Sequence, residues 1–409
     1  MSGEFLTLDD IDVSNKVVLL RGDLNVPVQN GVVGDMTRLQ RLLKTIQELK
    51  RKKAKIVVLS HFGRPKGKVD MSMSLGQIVP VLSGLLNERV DFCDESIGNK
   101  AKAAIAKLNS GEVLVLENTR FHKGEEENDI SLSNSFAALG DVFVNDAFSV
   151  THRAHSSTEG IAHLLPSCCG RDMQNELEAL AKALDKPVRP VVAIVGGSKV
   201  STKLALLSNL TAKVNVMVLG GGMANTFIAA QGMAVGKSLY EPDMLDTARK
   251  IMAESKQKGC TILLPSDVVV AGTFAANVPT ETVMVEHIPA DKMALDVGPK
   301  TVAAIQAALN EAKTIVWNGP LGAFEIPPFE KATMAVAKTI ASLTSKGAAL
   351  SVAGGGDTVA AVNMAQVGNS LSYVSTAGGA FLEWLEGCAL PGVEVLRKQR
   401  KPEARAANV

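Results

Sequence analysis

The 409-residue chain reads as α/β, with two doubly wound parallel-sheet domains joined by a helix. Three observations predict this. Short Val/Ile/Leu runs alternate with segments whose apolar residues recur at helical spacing, which is the pattern of βα repetition. The runs themselves are near-continuously apolar, as parallel strands covered on both faces are. The scheme halts at one amphipathic stretch ending near residue 185 and then starts again. The length fits, since domains of about 150 residues would give two or three.

In the first half the runs fall at residues 17–20, 56–59, 113–116 and 142–144. After Asp35, the residues Leu39, Leu42, Leu43, Ile46 and Leu49 keep helical spacing up to Lys50-Arg51-Lys52-Lys53. That basic run suits the negative end of a helix better than a binding patch. Farther on, Met173, Leu177, Leu180 and Leu184 form one stripe, and Pro187 and Pro190 stop it. A linker helix is therefore expected over 171–185, between domains at 1–170 and 186–390. The second half has runs at 191–194, 214–219, 262–264, 315–317 and 349–352. No long internal repeat interrupts them, so both halves read as Rossmann-like.

Composition narrows the function. Forty-three basic against forty-two acidic residues leave a net charge of +1, so neither a nucleic-acid coat nor an acidic tail is suggested. Aromatics at 4% are scarce for a protein that stacks bases. The five cysteines include no C-x-x-C pair, and Cys168 and Cys169 read as two small, partly buried thiols rather than as a strained vicinal bridge. The N-terminus has no basic region followed by a long apolar stretch, and no run of 18 apolar residues occurs. A cytoplasmic protein with no membrane partner is expected.

In parallel sheets, ligands sit beyond the carboxyl ends of the strands. The first-half strands run into Arg21-Gly22-Asp23-Leu24-Asn25, Ser60-His61-Phe62-Gly63-Arg64, Glu117-Asn118-Thr119-Arg120 and Asn145-Asp146, with His152-Arg153-Ala154-His155 soon after. Arginine forks on one rim make a site for a small phosphate- or carboxylate-bearing anion. The pair His152 and His155 lacks the further Cys or carboxylate that a metal site needs.

The second-half strands end in Gly196-Gly197-Ser198-Lys199, Gly220-Gly221-Gly222, Asn318-Gly319-Pro320 and Gly354-Gly355-Gly356-Asp357-Thr358. Glycines let backbone N–H groups approach phosphate oxygens, and a following helix adds positive potential. Between Val191 and Leu390 the only arginine is Arg249. This half therefore reads as a nucleotide cradle built from backbone, Lys199, Lys203 and an acidic metal ligand, Asp357, which could equally cap the next helix, the two roles being compatible. Two strings fail as known fingerprints. In Gly232-Met233-Ala234-Val235-Gly236-Lys237-Ser238 three residues separate the glycines where a phosphate loop needs four. Neither triple-glycine string completes G-x-G-x-x-G, which removes the best support for a nicotinamide-dependent oxidoreductase.

The ordered strings RGDLNVP, SHFGRP, LENTRF, VNDAFSVTHRAHSS, GGSKVSTK, GGGMANTF, DVGP, WNGPLGAFE, GGGDT and STAGGAFLEWLEGCALPGV resemble the phosphoglycerate kinase family over nearly the whole chain. The resemblance implies a bilobal, hinge-bending kinase that moves a phosphoryl group reversibly between ATP and the carboxylate of 3-phosphoglycerate. It implies 3-phosphoglycerate on the first domain, MgATP or MgADP on the second, closure over both, a monomer, and a tail at 391–409 returning to the first domain. On matching positions it puts Asp23, Asn25, Arg38, His61, Arg64, Arg120, His152 and Arg153 around the triose. It gives Lys199, Lys203, Gly220, Gly221, Gly222, Asn318, Glu325, Gly354, Gly355, Gly356, Asp357 and Thr358 to the nucleotide, with Asp357 holding Mg²⁺. Arg38 and Lys199 would be the catalytic cations.

The implied chemistry explains why no general base stands out. A carboxyl group of pKa near ~4 is already ionised at neutral pH and needs its repulsion from a polyphosphate cancelled instead. The sequence departs from the family at Ala377, in place of a glycine, and at Cys388, in place of a lysine. A positive φ at Ala377 would strain its loop. A non-catalytic anion-binding protein on the same fold is the other alternative, against which the intact set Arg38, Lys199, Lys203 and Asp357 argues.

Overall fold

The computed structural model describes residues 4–29 and 31–397. The chain forms two compact units. One takes residues through Glu178 and resumes at Ala389, and the other runs from Ala179 to Cys388.

The first unit is built on six parallel strands in the spatial order Val90–Cys93, Val113–Leu116, Lys55–Leu59, Val17–Arg21, Val142–Asn145, Ser167–Cys169. From the central Val17–Arg21 the chain first adds Lys55–Leu59 on one side and later Val142–Asn145 on the other. The crevice of such a sheet opens at that reversal, beyond the strand ends. On one face Val18, Leu20, Ile56, Val58, Val113, Val115, Val142 and Val144 meet Leu39, Leu42, Ile46 and Leu49 from the helix Thr37–Arg51. Each such leucine, fully buried, contributes roughly 1.5–3 kcal/mol.

Two edge strands carry no clear sequence signal. Val90–Cys93 leaves Asp91 and Phe92 partly open, and Ser167–Cys169 lacks any β-branched residue. Cys168 and Cys169 are free and buried, and burial pushes the Cys168 thiol up to about 12. Of the expected tail at 391–409, residues 398–409 lie outside the described residues. The part before them packs on the first unit. Leu6 N–H donates to Leu396 O at 3.1 Å, Gly392 N–H donates to Thr151 O at 2.9 Å, and the Arg397 guanidinium lies 4.8 Å from the Phe5 ring centre.

The helix Arg171–Leu184 buries Met173, Leu177, Leu180 and Leu184 on its stripe. It begins on Asp146, whose Oδ1 accepts from Asp172 N at 2.9 Å and Met173 N at 3.0 Å. Gly170 leaves room for this, because a Cβ there would overlap the Asp146 carboxylate. The division between the units falls within this helix, after Glu178.

The second unit holds six parallel strands in the order Thr261–Leu263, Val216–Gly220, Val191–Gly196, Thr314–Asn318, Leu350–Gly354, Tyr373–Ser375. In chain order within the unit's sheet this is 3-2-1-4-5-6, the doubly wound dinucleotide-type arrangement, with its reversal between Val191–Gly196 and Thr314–Asn318. A separate antiparallel sheet, Glu281–Met284, Asp267–Ala271, Met293–Val297, stands outside the βα scheme. Its outer strands are half-open and therefore lack the apolar runs by which the parallel strands are recognised.

Candidate active site

At the reversal of the first sheet, the loop after Val17–Arg21 presents Asp23 and Asn25. Asp23 Oδ2 accepts from Ser149 Oγ at 2.5 Å and lies 3.1 Å from Arg38 Nη1, which also donates to Asn25 O at 2.8 Å. Asn25 Oδ1 accepts from Gly63 N at 2.9 Å, and Gly63 O accepts from Arg120 Nη1 at 2.9 Å. One chain of contacts thus joins Ser149, Asp23, Arg38, Asn25, Gly63 and Arg120. Below it, Asn118 donates to Phe62 O and Met73 O and accepts from Phe62 N and Arg120 N, fixing the loop that carries His61 and Arg64.

The floor is a buried charge network that sequence reasoning missed. Arg21 is fully buried and donates to Ser157 Oγ at 3.0 Å, Gly22 O at 2.5 Å and His61 Nδ1 at 3.1 Å. Ser157 donates to buried Glu125, so one hydroxyl links acid and base. Burial lowers Arg21 to about 10, offset by Glu125 and Asp23. Burial raises Glu125, and Arg21 opposes that. His61 is held well below an ordinary imidazole by burial and by Arg21, Arg120 and Arg38. Because the guanidinium can only donate, His61 Nδ1 is the acceptor and Nε2 carries the proton.

The other cations gather here as well. Arg120 is lowered by burial and by the repulsion of Arg153 and Arg64, and His155 is pushed to about 3 by burial, Arg120, Arg21 and Arg153. Arg64 and Arg153 are exposed, and neither guanidinium has a hydrogen bond or ion pair among the described residues. His152 is half-buried beside them. All eight residues expected around the triose therefore lie on this one unit, seven of them tied by the contacts and charge effects just described.

The neutral histidines make this unit acid-sensitive. The unfolded imidazoles take a proton near ~6.5, whereas the folded ones resist until far lower pH. Their contribution is complete above the unfolded value of about 6.5 and is lost progressively as the pH falls from there towards about 3 for His155. Urea melts at pH 7 and pH 5 should show His155→Gln losing less stability on acidification than the parent chain. Equal losses would contradict this.

In the second unit the reversal is tied by Asn318. Its Oδ1 accepts from Lys203 Nζ at 2.7 Å and its Nδ2 donates to Gly354 O at 2.8 Å, while Lys203 also reaches Gly196 O at 2.7 Å. Burial lowers Lys203 to about 8, and Asp357 opposes that. Gly319, at φ +109°, brings its backbone against Gly196, and its N–H donates to Thr358 Oγ1 at 2.7 Å. Thr358 is thus buried and engaged in the loop. Asp357 lies in the first turn of the helix Gly356–Met364 and makes no capping hydrogen bond, so the capping alternative is not what the fold uses. Lys199 is exposed with its ammonium unpaired among the described residues.

Beside this tie lies a cavity of about 580 Å³. Its lining includes Gly197, Ser198, Gly221, Gly222, Glu325 and Asp357. The lining also includes the apolar side chains of Leu239, Val268, Phe274, Met293 and Phe324. Gly221 sits at φ +68° and its Cβ would press 2.7 Å from Gly197 O, so the glycine keeps the wall open. Asp296 also lines the cavity and is pushed up to about 7 by burial. Phe274, Asp296 and Lys237 were not expected at the site, because each comes from a loop or antiparallel strand outside the βα pattern. At Ala377 the backbone is ordinary. The positive φ of that loop, +52°, falls on Gly378, so the departure from the family costs no strain.

The comparisons agree with this architecture. A model of the family described as phosphoglycerate kinase matches residues 8–388. The chain is 61% identical over 392 residues to the phosphoglycerate kinase of Rhodospirillum centenum, covering 96% of this chain and 99% of that one. It is 59% identical over 396 residues to that of Rhizobium meliloti, covering 97% and 99%. The solved phosphoglycerate kinase from Coxiella burnetii superposes with a TM-score of 0.89 at 42% identity, covering 96% of this chain and 98% of that one. With a matching family model, such relatives and the same two α/β units, the chain belongs to the phosphoglycerate kinase family and is a phosphotransferase.

Proposed function

We propose that this chain transfers a phosphoryl group reversibly between ATP and the carboxylate of 3-phosphoglycerate, giving 1,3-bisphosphoglycerate and ADP. The observation that carries this is a pair of unlike sites at two sheet reversals: a cluster of cations around Asp23 and Asn25, and a glycine-walled cavity beside Lys203. The first takes the triose and the second the nucleotide.

The triose hydroxyl and carboxylate face Asp23 and Asn25, and its phosphate is held by His61, Arg64, Arg120, His152 and Arg153. His61 acts as a neutral Nε2 donor, since Arg21 occupies Nδ1. Arg38 neutralises the carboxylate and the phosphoryl group as they meet, and Lys199 with Lys203 does so from the nucleotide side. Glu325 takes the ribose hydroxyls, and the backbone of Gly220, Gly221, Gly222, Gly354, Gly355 and Gly356 frames the base and phosphates. Asn318 keeps Lys203 in register.

The donor set fits Mg²⁺ brought in on the nucleotide. Among the described residues no group of three or more His, Cys, Asp or Glu could hold a metal, and Asp357 is exposed at the nucleotide cavity. A single carboxylate completed by phosphates and water is how Mg²⁺ usually sits in kinases. When bound it would neutralise phosphate charge.

The transfer must occur out of contact with water to avoid wasteful hydrolysis, so residues 171–185 serve as the hinge between a triose domain and a nucleotide domain. The chain works in the cytoplasm as a monomer. No helix among the described residues is long and apolar enough to cross a membrane.

A coupled assay with ATP and 3-phosphoglycerate tests the reading directly. Arg64→Ala is expected to raise KM for 3-phosphoglycerate, losing about 2–5 kcal/mol as for a broken charge pair. A collapsed kcat at unchanged KM would assign Arg64 differently.

A further inference from the structure

Ser149 stands in a short turn whose neighbours fix it in place. The strand Val142–Asn145 pairs in parallel with Val17–Arg21, with Asn145 opposite Arg21, so the segments that follow the two strand ends start side by side. In the segment after Asn145, Phe148 and Val150 are buried, Thr151 N–H donates to Phe148 O at 3.1 Å, and Gly392 N–H donates to Thr151 O at 2.9 Å. Between its two buried neighbours Ser149 is half-buried, and its hydroxyl reaches the segment after the other strand, donating to Asp23 Oδ2 at 2.5 Å.

That donation completes an uneven set of partners on Asp23. Among the described residues Oδ1 accepts one hydrogen bond, from Asn25 N at 3.1 Å. Oδ2 meets two donors, Ser149 Oγ and Arg38 Nη1. A carboxylate has about four lone-pair positions, shared equally by its oxygens, so Oδ2 is filled and the open position is on Oδ1. The Asp23 side chain is only 11% exposed, which leaves water little access to replace a missing donor. Without the Ser149 hydroxyl both oxygens would have an open position, and the carboxylate would be free to turn between them.

We infer that Ser149 is a positioning residue that sets specificity for the triose: by filling Oδ2 of Asp23 it reserves Oδ1 for the hydroxyl next to the substrate's carboxylate, and so favours a 2-hydroxy acid over the acid lacking that hydroxyl. A site built to hydrogen-bond a hydroxyl rejects the analogue without it, because the buried acceptor is then left unpaired. A carboxylate that can turn to another partner rejects it less. Arg64 and Arg120 belong to the phosphate side of the proposed site, so a defect at Ser149 should be confined to the hydroxyl. This rests on the reading of Asp23 as part of the triose site.

The test is calorimetric binding of 3-phosphoglycerate and of 3-phosphonooxypropanoate, which lacks only the hydroxyl, to the parent chain and to Ser149→Ala, with Ser149→Thr as the hydroxyl-retaining variant. Thermal melting checks the fold, and Ser149→Gly takes the place of Ser149→Ala if the latter does not fold. The parent chain should prefer 3-phosphoglycerate. Ser149→Ala should weaken 3-phosphoglycerate by about tenfold, the scale of one hydrogen bond to a charged group, and the deoxy analogue by less than about twofold. Ser149→Thr should keep most of the preference, and KM for ATP should not change in either variant. An equal loss with both ligands would make Ser149 a packing residue only, and no loss with either would end the inference. Asp23→Asn is the reference for the site. If it abolishes the preference while Ser149→Ala keeps it, the inference fails and the triose reading stands. If the parent chain binds neither ligand, or both alike, the reading of Asp23 fails as well.

Discussion

Arg38→Ala should lower kcat by roughly 10³-fold or more, as removal of an arginine finger does elsewhere in phosphoryl transfer. The guanidinium is one-third exposed and rests on Asp23 Oδ2 at 3.1 Å and Asn25 O at 2.8 Å. It is therefore held beside the proposed triose site by an acid and a carbonyl, and remains open to a more highly charged partner. Two anions must touch in the transition state, so loss of this charge raises the barrier far more than it weakens the binding of either reactant. Steady-state kinetics with both substrates varied would read this as a kcat effect with KM for ATP little changed. A loss below tenfold would remove Arg38 from that role. Arg38→Lys should recover only part of the rate, because an ammonium keeps the charge and loses the fork.

Gly196→Ala should be the most damaging small substitution in the second unit. A Cβ at Gly196 would overlap the Pro320 carbonyl oxygen and come 2.8 Å from Gly319 C, both rigid backbone. Gly196 O is also the acceptor for Lys203 Nζ, so any shift that relieves the clash disturbs that lysine. Overpacking of this kind costs about 1–3 kcal/mol, more where the neighbours cannot move, and a unit of this size would melt several degrees lower, at about 2–4 °C per kcal/mol. Differential scanning calorimetry and KM for ATP should both change. As a contrast, Gly84→Ala meets nothing within 4 Å inside the helix Val79–Leu86 and should be neutral or stabilising. Equal melting temperatures for Gly196→Ala and the parent chain would contradict the packing argument.

What could be read from the sequence follows from where each residue lies. The central strands were legible because burial on both faces makes them apolar throughout. The helices Thr37–Arg51 and Arg171–Leu184 were legible because one face of each is buried and spaced accordingly. The strand ends pointed to Asp23, His61, Arg120 and Asn318, which the fold does bring to the two sheet reversals. Glu125 was illegible. It stands in the run Glu125-Glu126-Glu127, and no local feature reveals that the first is fully buried while the other two face solvent. Arg21 read as one of the strand-end arginines that would meet an anion, whereas it is fully buried and holds His61. Phe274 and Lys237 reach the cavity only through tertiary packing of loops, which no spacing rule anticipates.

The docking of Leu396 on Leu6 and of Gly392 on Thr151 has a consequence for biosynthesis. The first unit emerges from the ribosome early, but its last pieces emerge only after Ala179 to Cys388 have been made. A nascent chain must therefore hold an unfinished fold for about 10–40 seconds, the time needed to translate the intervening 200 or so residues at roughly 5–20 per second. Throughout that interval the backbone of Leu6 and Thr151 lacks its final partners, which makes the earliest-born half the last to be sealed.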